Sequence, residues 1–267
     1  MPGWHDLGGA AVVSFLRIPP VVTVALIHGG GATGAFWDRL LPHLDEGEDV
    51  LAVDLPGRRA RPADLGTLTV DAEVASVVAD IEAGAAAGPI TLVAHSSGGL
   101  VVPGVVAALG GRVAAIVLNA ALVPVESGCG IDCMQQRHRE GLRLAVEAAA
   151  RDGRTITLPP PADPEASRRA YGGEPLDDDT LAFVLDPSRS VEDTVHHYFQ
   201  PVSWSAAAGV PITYVLNEND RPIRPEMQEV MVLRLPPPAD VTRVPSGHLF
   251  PVTSPAAFAA IVNRVAG

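Results

Sequence analysis

Hydrophobic residues form short continuous runs that alternate with segments in which they recur every three or four positions. The continuous runs predict strands buried on both faces, and the wider spacing predicts amphipathic helices. The predicted strands are residues 21–27, 49–53, 90–93, 113–118, 210–216 and 241–244. The predicted helices are residues 35–44, 70–85, 100–108, 225–233 and 255–265. This alternation is typical of an α/β fold with a mostly parallel sheet covered by helices on both faces.

The alternation stops near Pro124 and resumes at Val210. The stretch between them is rich in charge and proline, contains predicted helices at 137–150 and 176–185, and has no strand pattern. We therefore predict a mostly helical cap inserted into the sheet domain. The predicted divisions are a first core part at 1–123, a cap at 124–205 and a second core part at 206–267. The acidic run 177–179 is interpreted as a solvated helix start and not as a metal site.

The most informative pattern lies between the third predicted strand and the helix after it. An apolar run leads into Ala94-His95-Ser96-Ser97-Gly98-Gly99, and a helical run follows. A serine at a tight strand-to-helix turn with small neighbours is typical of a nucleophile elbow, although Ala94 stands where the usual pattern has Gly. The alternative interpretation is a serine that caps an ordinary helix.

A serine nucleophile needs a base and an acid that orients the base, expected in the chain order Ser, Asp or Glu, His. His248 follows the last predicted strand in a Ser-Gly-His turn, and we predict it as the base. Asp220 follows the preceding strand and is the predicted acid, with Glu218 and Asp54 as alternatives. His95 is fixed beside the turn, so we expect it to be structural.

The remaining site residues are predicted from loop position and chemistry. An oxyanion needs two N–H donors, for which we expect the backbone amides of Ser97 and of Gly30 in the glycine-rich loop after the first strand. The predicted substrate-binding residues are Gly29, Trp37, His196, His197, Trp204 and Leu249. Many apolar residues and no evident cation cluster indicate an uncharged, hydrophobic substrate of moderate size.

The same glycine-rich loop also fits a dinucleotide-binding fingerprint. Gly29-x-Gly31-x-x-Gly34 lies between a strand and a helix, and Asp54 follows 20 residues later, where a ribose-binding acid is expected. The common single-domain dehydrogenases with this opening use a Tyr/Lys pair, and all 19 basic residues of this chain are Arg. An NAD(P)-dependent Rossmann oxidoreductase also leaves the elbow and His248 without a role, so it is the remote alternative.

In order and spacing, five motifs resemble the α/β-hydrolase superfamily over about residues 21–267 outside the predicted cap. They are His28-Gly29-Gly30-Gly31, Asp54-Leu55-Pro56-Gly57, His95-Ser96-Ser97-Gly98-Gly99, Asp220-Arg221 and Gly247-His248. With Trp37 and the tail 247–251, the chain looks most like the small cofactor-free branch that includes plant methylesterases and hydroxynitrile lyases. The resemblance implies an α/β-hydrolase fold and a carboxylesterase-like Ser-His-Asp triad, with no cofactor and no metal.

This resemblance leaves the reaction partly open. The lyases of that branch carry a lysine directly after the catalytic histidine, where this chain has Leu249, so cyanide lyase chemistry of that kind is not expected. Some superfamily members keep the triad and catalyse acyl transfer or cyclisation in biosynthesis, which is the alternative to our prediction. The prediction is hydrolysis of a carboxylic ester or lactone through an acyl-serine intermediate.

Composition and charge limit the kinds of partner and the cellular compartment that we expect for this chain. The net charge of −12 argues against nucleic acid, and no apolar stretch approaches the ~18 residues of a membrane span. The first 20 residues lack the basic start of a signal peptide, so we expect a cytoplasmic monomer or homodimer whose partner is a small-molecule substrate. Cys129 and Cys133 have no obvious His/Cys partner pair nearby and are predicted to be free thiols.

Overall fold

A six-stranded parallel sheet forms the centre of the molecule. The computed structural model describes residues 21–59, 61–84, 87–171 and 176–267; the signal-peptide prediction lies outside them. The strands are β1 (Thr23–Ile27), β2 (Asp49–Ala52), β3 (Ile90–His95), β4 (Val113–Asn119), β5 (Gly128–Cys129), β6 (Thr157–Leu158), β7 (Asp193–Thr194), β8 (Pro201–Val202), β9 (Ile212–Asn217) and β10 (Ala239–Val244). The central sheet has the order β10-β9-β4-β3-β1-β2, with every neighbouring pair parallel, which confirms the predicted sheet.

Helices cover both faces of this sheet. They are α1 (Val70–Gly84), α2 (Val102–Leu109), α3 (Gln136–Arg151), α4 (Pro164–Tyr171), α5 (Asp178–Leu185), α6 (Pro225–Val232), α7 (Phe250–Thr253) and α8 (Pro255–Ala266). Along β1, Ala25 and Ile27 join a hydrophobic cluster with α1 and α2, whereas Val24 and Leu26 join a second cluster with α8. Because both faces are covered, the strand is continuously apolar. None of the helices in the described ranges has the length and apolar character that a membrane span requires.

The strand order places the loops after β1 and β3 next to each other. Chain order reverses between these two neighbouring strands, and Ile27 pairs with Ala94 where both strands end. In open parallel sheets, a crevice for ligands forms at the carboxyl ends of the strands on either side of such a reversal. The glycine-rich loop and the predicted elbow therefore start side by side, and the loops after β9 and β10 end at the same edge.

The first predicted helix differs from the observed structure. Instead of one helix over residues 35–44, two short 3₁₀ helices span Gly34–Trp37 and Leu41–His43. Pro42 explains the interruption, because proline has no N–H and its ring clashes with the carbonyl of the residue four positions earlier. In contrast, the predicted start of α1 is confirmed, since the Thr69 hydroxyl accepts a 3.1 Å hydrogen bond from the Ala72 amide.

Within residues 124–171 and 176–205, the structure has three α-helices and two short antiparallel strand pairs, together with short 3₁₀ turns. β5 pairs with β8, and β6 pairs with β7, so the expectation of no strands in this segment was wrong. Each of these strands has two residues, too few to produce an alternating hydrophobic pattern. Helix α5 begins at Asp178, with the Asp177 carboxylate accepting a 2.7 Å hydrogen bond from the Thr180 amide. The limits of a separate cap stay a prediction.

Candidate active site

Ser96 occupies the turn between β3 and the short 3₁₀ helix Ser96–Leu100. Its backbone φ is +53°, a conformation that costs a non-glycine residue about 1–3 kcal/mol. The turn is pressed against β1, since a Cβ at position 98 would lie 2.6 Å from the carbonyl oxygen of His28. Only glycine fits at position 98, and this close approach holds the serine at the apex of the turn.

A hydrogen-bonded chain connects Asp220, His248 and Ser96. Nδ1 of His248 lies 2.7 Å from Oδ2 of Asp220, and Nε2 lies 3.2 Å from Oγ of Ser96. Asp220 and His248 are only 3% and 5% exposed. A carboxylate can only accept hydrogen bonds, so in the neutral imidazole the proton is on Nδ1 of His248. Nε2 is therefore free to accept the proton of the serine hydroxyl. We call these three residues the triad.

Polar side chains beneath the triad fix the two loops that carry it. The second oxygen of Asp220 accepts a 2.7 Å hydrogen bond from the amide of Ile223. Asn217, at the end of β9, donates a 2.8 Å hydrogen bond to the carbonyl of Gly247, and Asn119 donates to Asn217 at 2.8 Å. The loops after β9 and β10 are therefore tied together directly below His248.

The two alternative acids lie elsewhere. Glu218 is exposed on the surface. Asp54 accepts a 2.7 Å hydrogen bond from the amide of Gly34, at the start of the first 3₁₀ helix. This bond gives Asp54 a structural role, which accounts for its spacing from the glycines without a nucleotide.

Two buried histidines support the site in their neutral forms. Nε2 of His95 lies 2.9 Å from the carbonyl oxygen of His248, and its ring stacks on Phe36. Burial, with the nearby His248, holds the pKa of His95 well below its usual value. Nδ1 of His28 donates to the carbonyl of Gly29 at 2.9 Å, and Nε2 accepts from the Leu55 amide at 3.3 Å. Burial and the nearby Arg58 lower the pKa of His28 to about 4.

The glycine-rich loop approaches the nucleophile so closely that side chains do not fit. A Cβ on Gly29 would lie 2.8 Å from Cβ of Ser96. A Cβ on Gly30 would lie 2.6 Å from Oη of Tyr198, 2.7 Å from a carboxylate oxygen of Asp193 and 3.2 Å from Oγ of Ser97. Backbone amides can reach a substrate carbonyl in such a place. Gly30 and Ser97 as oxyanion donors stay a prediction.

A buried ion pair, which the sequence analysis did not anticipate, holds this loop. Arg58 and Asp193 are 1% and 3% exposed and bind each other directly. Oδ2 of Asp193 accepts a 3.0 Å hydrogen bond from the Gly31 amide, and Nε of Arg58 donates to the Ala32 carbonyl at 2.9 Å. The two residues lie 135 positions apart, so no local pattern reveals the pair.

Two cavities meet at Ser96. The smaller cavity, about 80 Å³, is also lined by His248, Gly29 and Leu249. Substrate binding by Gly29 and Leu249 stays a prediction. The other walls of this cavity are mainly apolar and aromatic: Phe36, Tyr171, Phe183 and Val184. The ring of Tyr171 lies parallel to that of His248, with centroids 6.3 Å apart. The larger cavity, about 420 Å³, is lined by residues that include Tyr198, Leu122 and Ile223.

Four predicted substrate-binding residues line neither cavity, which corrects the prediction. Trp37 is fully buried and stacks on Phe258, and Trp204 is 1% exposed in the core beside α2. His196 is partly buried outside both cavities. His197 faces the buried carboxylate of Glu73 at 3.1 Å. The sequence identified an aromatic stretch but not the direction of its side chains.

Burial lowers the pKa of His197, but the facing Glu73 carboxylate outweighs this effect and raises the pKa above its usual value. His197 and Glu73 therefore form a buried hydrogen-bonded pair next to Tyr198, whose ring meets the His197 ring edge-on. Burial and Asp193 raise the pKa of Tyr198, so its hydroxyl stays protonated at neutral pH.

The cysteines are free thiols, as predicted. Cys133 is buried at the wall of the larger cavity, with Nη1 of Arg234 at 3.7 Å from its sulfur. Burial raises the pKa of the Cys133 thiol to about 12, so it is protonated and unreactive at neutral pH. No cluster of three or more His, Cys, Asp or Glu side chains suited to a metal ion occurs within the described ranges.

The sequence pattern of the alpha/beta hydrolase family matches residues 24–261. The chain belongs to this family. The match spans nearly the whole sheet domain together with the segment inserted between β4 and β9. The six-stranded sheet, the elbow at Ser96 and the loops carrying Asp220 and His248 are thus parts of an α/β-hydrolase fold, and the prediction of this fold is confirmed. No curated protein matches this α/β-hydrolase in sequence.

Several solved structures share the fold. One is an extracellular α/β-hydrolase from a Paenibacillus species, which is described as structurally and functionally homologous to tobacco salicylic acid binding protein 2. It is 18% identical to this chain with a TM-score of 0.76, and the alignment covers 92% of this chain and 99% of the other. A pyrethroid hydrolase from Sphingobium faniae is 21% identical with a TM-score of 0.69, covering 92% and 97%. An Arabidopsis methylesterase is 19% identical with a TM-score of 0.66, covering 91% and 98%. At these identities the likeness establishes the fold.

Proposed function

We propose that this α/β-hydrolase cleaves a carboxylic ester or lactone through an acyl-serine intermediate. The observation that carries the proposal is the unbroken chain of two hydrogen bonds from Asp220 through His248 to Ser96. A half-buried serine at a strained turn, hydrogen-bonded to a buried histidine–carboxylate pair, is the arrangement that activates a hydroxyl for attack on a carbonyl.

In the first half of the reaction, Oγ of Ser96 attacks the substrate carbonyl carbon while Nε2 of His248 takes its proton. Asp220 holds the resulting imidazolium in place and stabilises its charge. The carbonyl oxygen becomes an oxyanion, for which we propose the amides of Gly30 and Ser97 as donors. Nε2 then gives the proton to the leaving oxygen, the bond from carbonyl carbon to that oxygen breaks, and the acyl group stays on Ser96.

In the second half, water replaces the alcohol. Nε2 of His248 takes a proton from the water, whose oxygen attacks the acyl carbon. The same amides stabilise the second oxyanion, and His248 returns the proton to Oγ of Ser96 as the acid product leaves. Every step uses side chains, backbone amides and water.

The two cavities suggest how the halves of an ester are arranged. His248 lines the smaller cavity but not the larger one, and it must reach the leaving oxygen to protonate it. We therefore assign the alcohol half to the smaller, apolar cavity and the acyl half to the larger one. The names of two structural neighbours, a pyrethroid hydrolase and a methylesterase, agree with an ester-cleaving activity.

The test is hydrolysis of a panel of esters and lactones that vary in acyl length and in alcohol size. We expect release of acid with small apolar alcohols, and we expect Ser96→Ala and His248→Ala to lower kcat by about 10⁴-fold or more. The matched control is Ser205→Ala, which removes an exposed serine hydroxyl distant from Ser96 in sequence. This variant should retain activity. Turnover that survives in Ser96→Ala would contradict the proposal.

A further inference from the structure

The larger cavity contains a cluster of positive charge. Arg137 from α3, Arg169 from α4 and Arg221 from the loop after β9 all line it together with Ser96. Nη1 of Arg221 donates a 3.1 Å hydrogen bond to the carbonyl of Arg169, which joins the loop to α4. Three segments separated in sequence thus bring three solvent-exposed arginines to the cavity that we assign to the acyl half. We call these three residues the arginine cluster.

Within the described residues, no carboxylate lies within the 4.0 Å of an ion pair from any guanidinium group of the arginine cluster. Neighbouring arginines behave differently. Arg168, next to Arg169 on α4, pairs with Asp178, and Arg189, which lines the smaller cavity, pairs with Asp38. Arg151 and Arg224 are also exposed and have no carboxylate partner among the described residues, so what distinguishes the arginine cluster is that its three members line one cavity together with Ser96.

The negative charge of the whole chain contrasts with the positive charge of the arginine cluster. The chain carries a net charge of −12, with 31 acidic residues available to pair with 19 arginines. Three like charges that face one cavity repel each other, and acidic neighbours would remove this cost. A guanidinium group binds carboxylate or phosphate through two parallel N–H donors, so an anionic ligand would supply the absent partner.

His138, also at this cavity, adds a hydrogen-bonding group and not a charge. Burial and the adjacent Arg137 lower its pKa, so it is neutral at pH 7. The side-chain amide of Gln135 donates to the carbonyls of Arg221 and Pro222 at 2.7 and 3.2 Å, which anchors the start of α3 to the loop after β9. The arginine cluster is therefore held on connected backbone.

We infer that the acyl half of the substrate carries an anionic group, a carboxylate or a phosphate, which the arginine cluster binds. This inference rests on the proposed ester hydrolysis and replaces the expectation of an uncharged substrate. The hydrophobic character applies to the alcohol half, whose cavity is lined by Phe36, Tyr171, Phe183 and Val184, with the paired Arg189 beside them. Arg137, Arg169 and Arg221 are specificity residues in this assignment, because they contact the substrate far from the bond that breaks.

The experiment compares two methyl esters of similar shape. Monomethyl adipate carries a carboxylate at the far end of the acyl chain, and methyl hexanoate is neutral there. We expect wild-type kcat/KM to favour the anionic ester, mainly through a lower KM. The ratio of the two kcat/KM values should fall about 5-fold in Arg137→Gln/Arg169→Gln and should also fall as salt is raised. Arg221 is left unchanged because it adjoins Asp220.

The matched control is Arg151→Gln, which removes an exposed arginine from the same helix as Arg137 without touching the cavity. It should leave the ratio of the two kcat/KM values unchanged.

To separate carboxylate from phosphate, a methyl ester with a terminal phosphate on the acyl chain is tested in parallel. A preference for either anion over methyl hexanoate supports the inference. To test the assigned half, carboxymethyl hexanoate places the charge on the alcohol instead, and a preference for this ester would overturn the assignment.

Two results separate this inference from the proposed function. If methyl hexanoate is hydrolysed through Ser96 but the anionic esters are not preferred, the arginine cluster is not an anion site and the hydrolase assignment stands. If no ester is hydrolysed, ligand-observed NMR on the wild-type protein decides. Binding of monomethyl adipate that exceeds binding of the neutral methyl hexanoate and is lost in Arg137→Gln/Arg169→Gln supports the anion site alone, and equal binding of the two esters overturns it.

Discussion

The roles of individual residues in this α/β-hydrolase follow from contacts that a single substitution can remove. Asp220 is buried and accepts hydrogen bonds from His248 and from the Ile223 amide, whereas Glu218, two positions earlier, is exposed. This difference provides a matched pair of carboxylates on one loop.

We expect Asp220→Asn to lower kcat by about 10³–10⁴-fold, because an amide at this position favours the wrong tautomer of His248. Glu218→Gln should leave kcat within about 2-fold, since its carboxylate contacts neither the triad nor a cavity. Steady-state kinetics on the best ester of the panel checks both variants, with thermal unfolding as the test of folding. Equal losses in the two variants would contradict the assignment of the acid.

Gly30 offers a second test at this scale. We expect Gly30→Ala to lower kcat by about 10²-fold or more, because the new Cβ would meet Tyr198 and Asp193 and displace the loop that carries a proposed oxyanion donor. Gly111→Ala is the control, since a Cβ at position 111 meets nothing within 4 Å. The measurement is kcat against KM for one ester, and a Gly30→Ala enzyme with normal kcat would exclude this loop from the oxyanion site.

At the scale of elements, the local patterns that define the fold were visible in the sequence. The apolar runs of β1 and β3, the small residues around Ser96 and the loop positions of Asp220 and His248 are all properties of neighbouring residues. The arginine cluster and the buried Arg58–Asp193 pair could not be predicted, since each joins segments tens to more than a hundred residues apart. Side-chain direction was also hidden, so Trp37 and Trp204 were assigned to the pocket although they lie in the core.

The Arg58–Asp193 pair connects the glycine-rich loop with β7. We expect Asp193→Ala to lower the free energy of unfolding by about 3–5 kcal/mol, because it leaves the buried Arg58 charge without a partner. The control is Glu229→Ala, which breaks the exposed pair of Arg243 with Glu229 and should change the free energy of unfolding by less than about 1 kcal/mol. Denaturant unfolding measures both variants. A small effect of Asp193→Ala would mean that water or another group compensates Arg58.

At the scale of the whole molecule, the buried neutral histidines make stability depend on pH. The pKa of His28 falls from 6.5 in the unfolded chain to about 4 in the folded protein. Between these values the unfolded chain binds more protons, so stability decreases as pH falls from about 6.5 to about 4. His95 acts in the same direction, because its pKa is also lowered by burial.

We expect His28→Gln to make this acid loss of stability shallower by up to about 1.4 kcal/mol per pH unit, the contribution of one proton. Denaturant unfolding of both proteins from pH 4 to pH 8 checks the slope. His43→Gln, on the exposed side of the second 3₁₀ helix, is the control and should follow the wild-type curve. An unchanged slope in His28→Gln would show that His28 does not take up a proton on acid unfolding.

The central claim is that Ser96 is a nucleophile activated by His248. The most direct test is treatment of the folded protein with a fluorophosphonate, followed by intact-protein and peptide mass spectrometry. We expect a single adduct on the peptide that contains Ser96, absent in Ser96→Ala and much slower to form in His248→Ala. An adduct on another residue would contradict the claim. So would the absence of any adduct on folded protein that hydrolyses an ester of the panel.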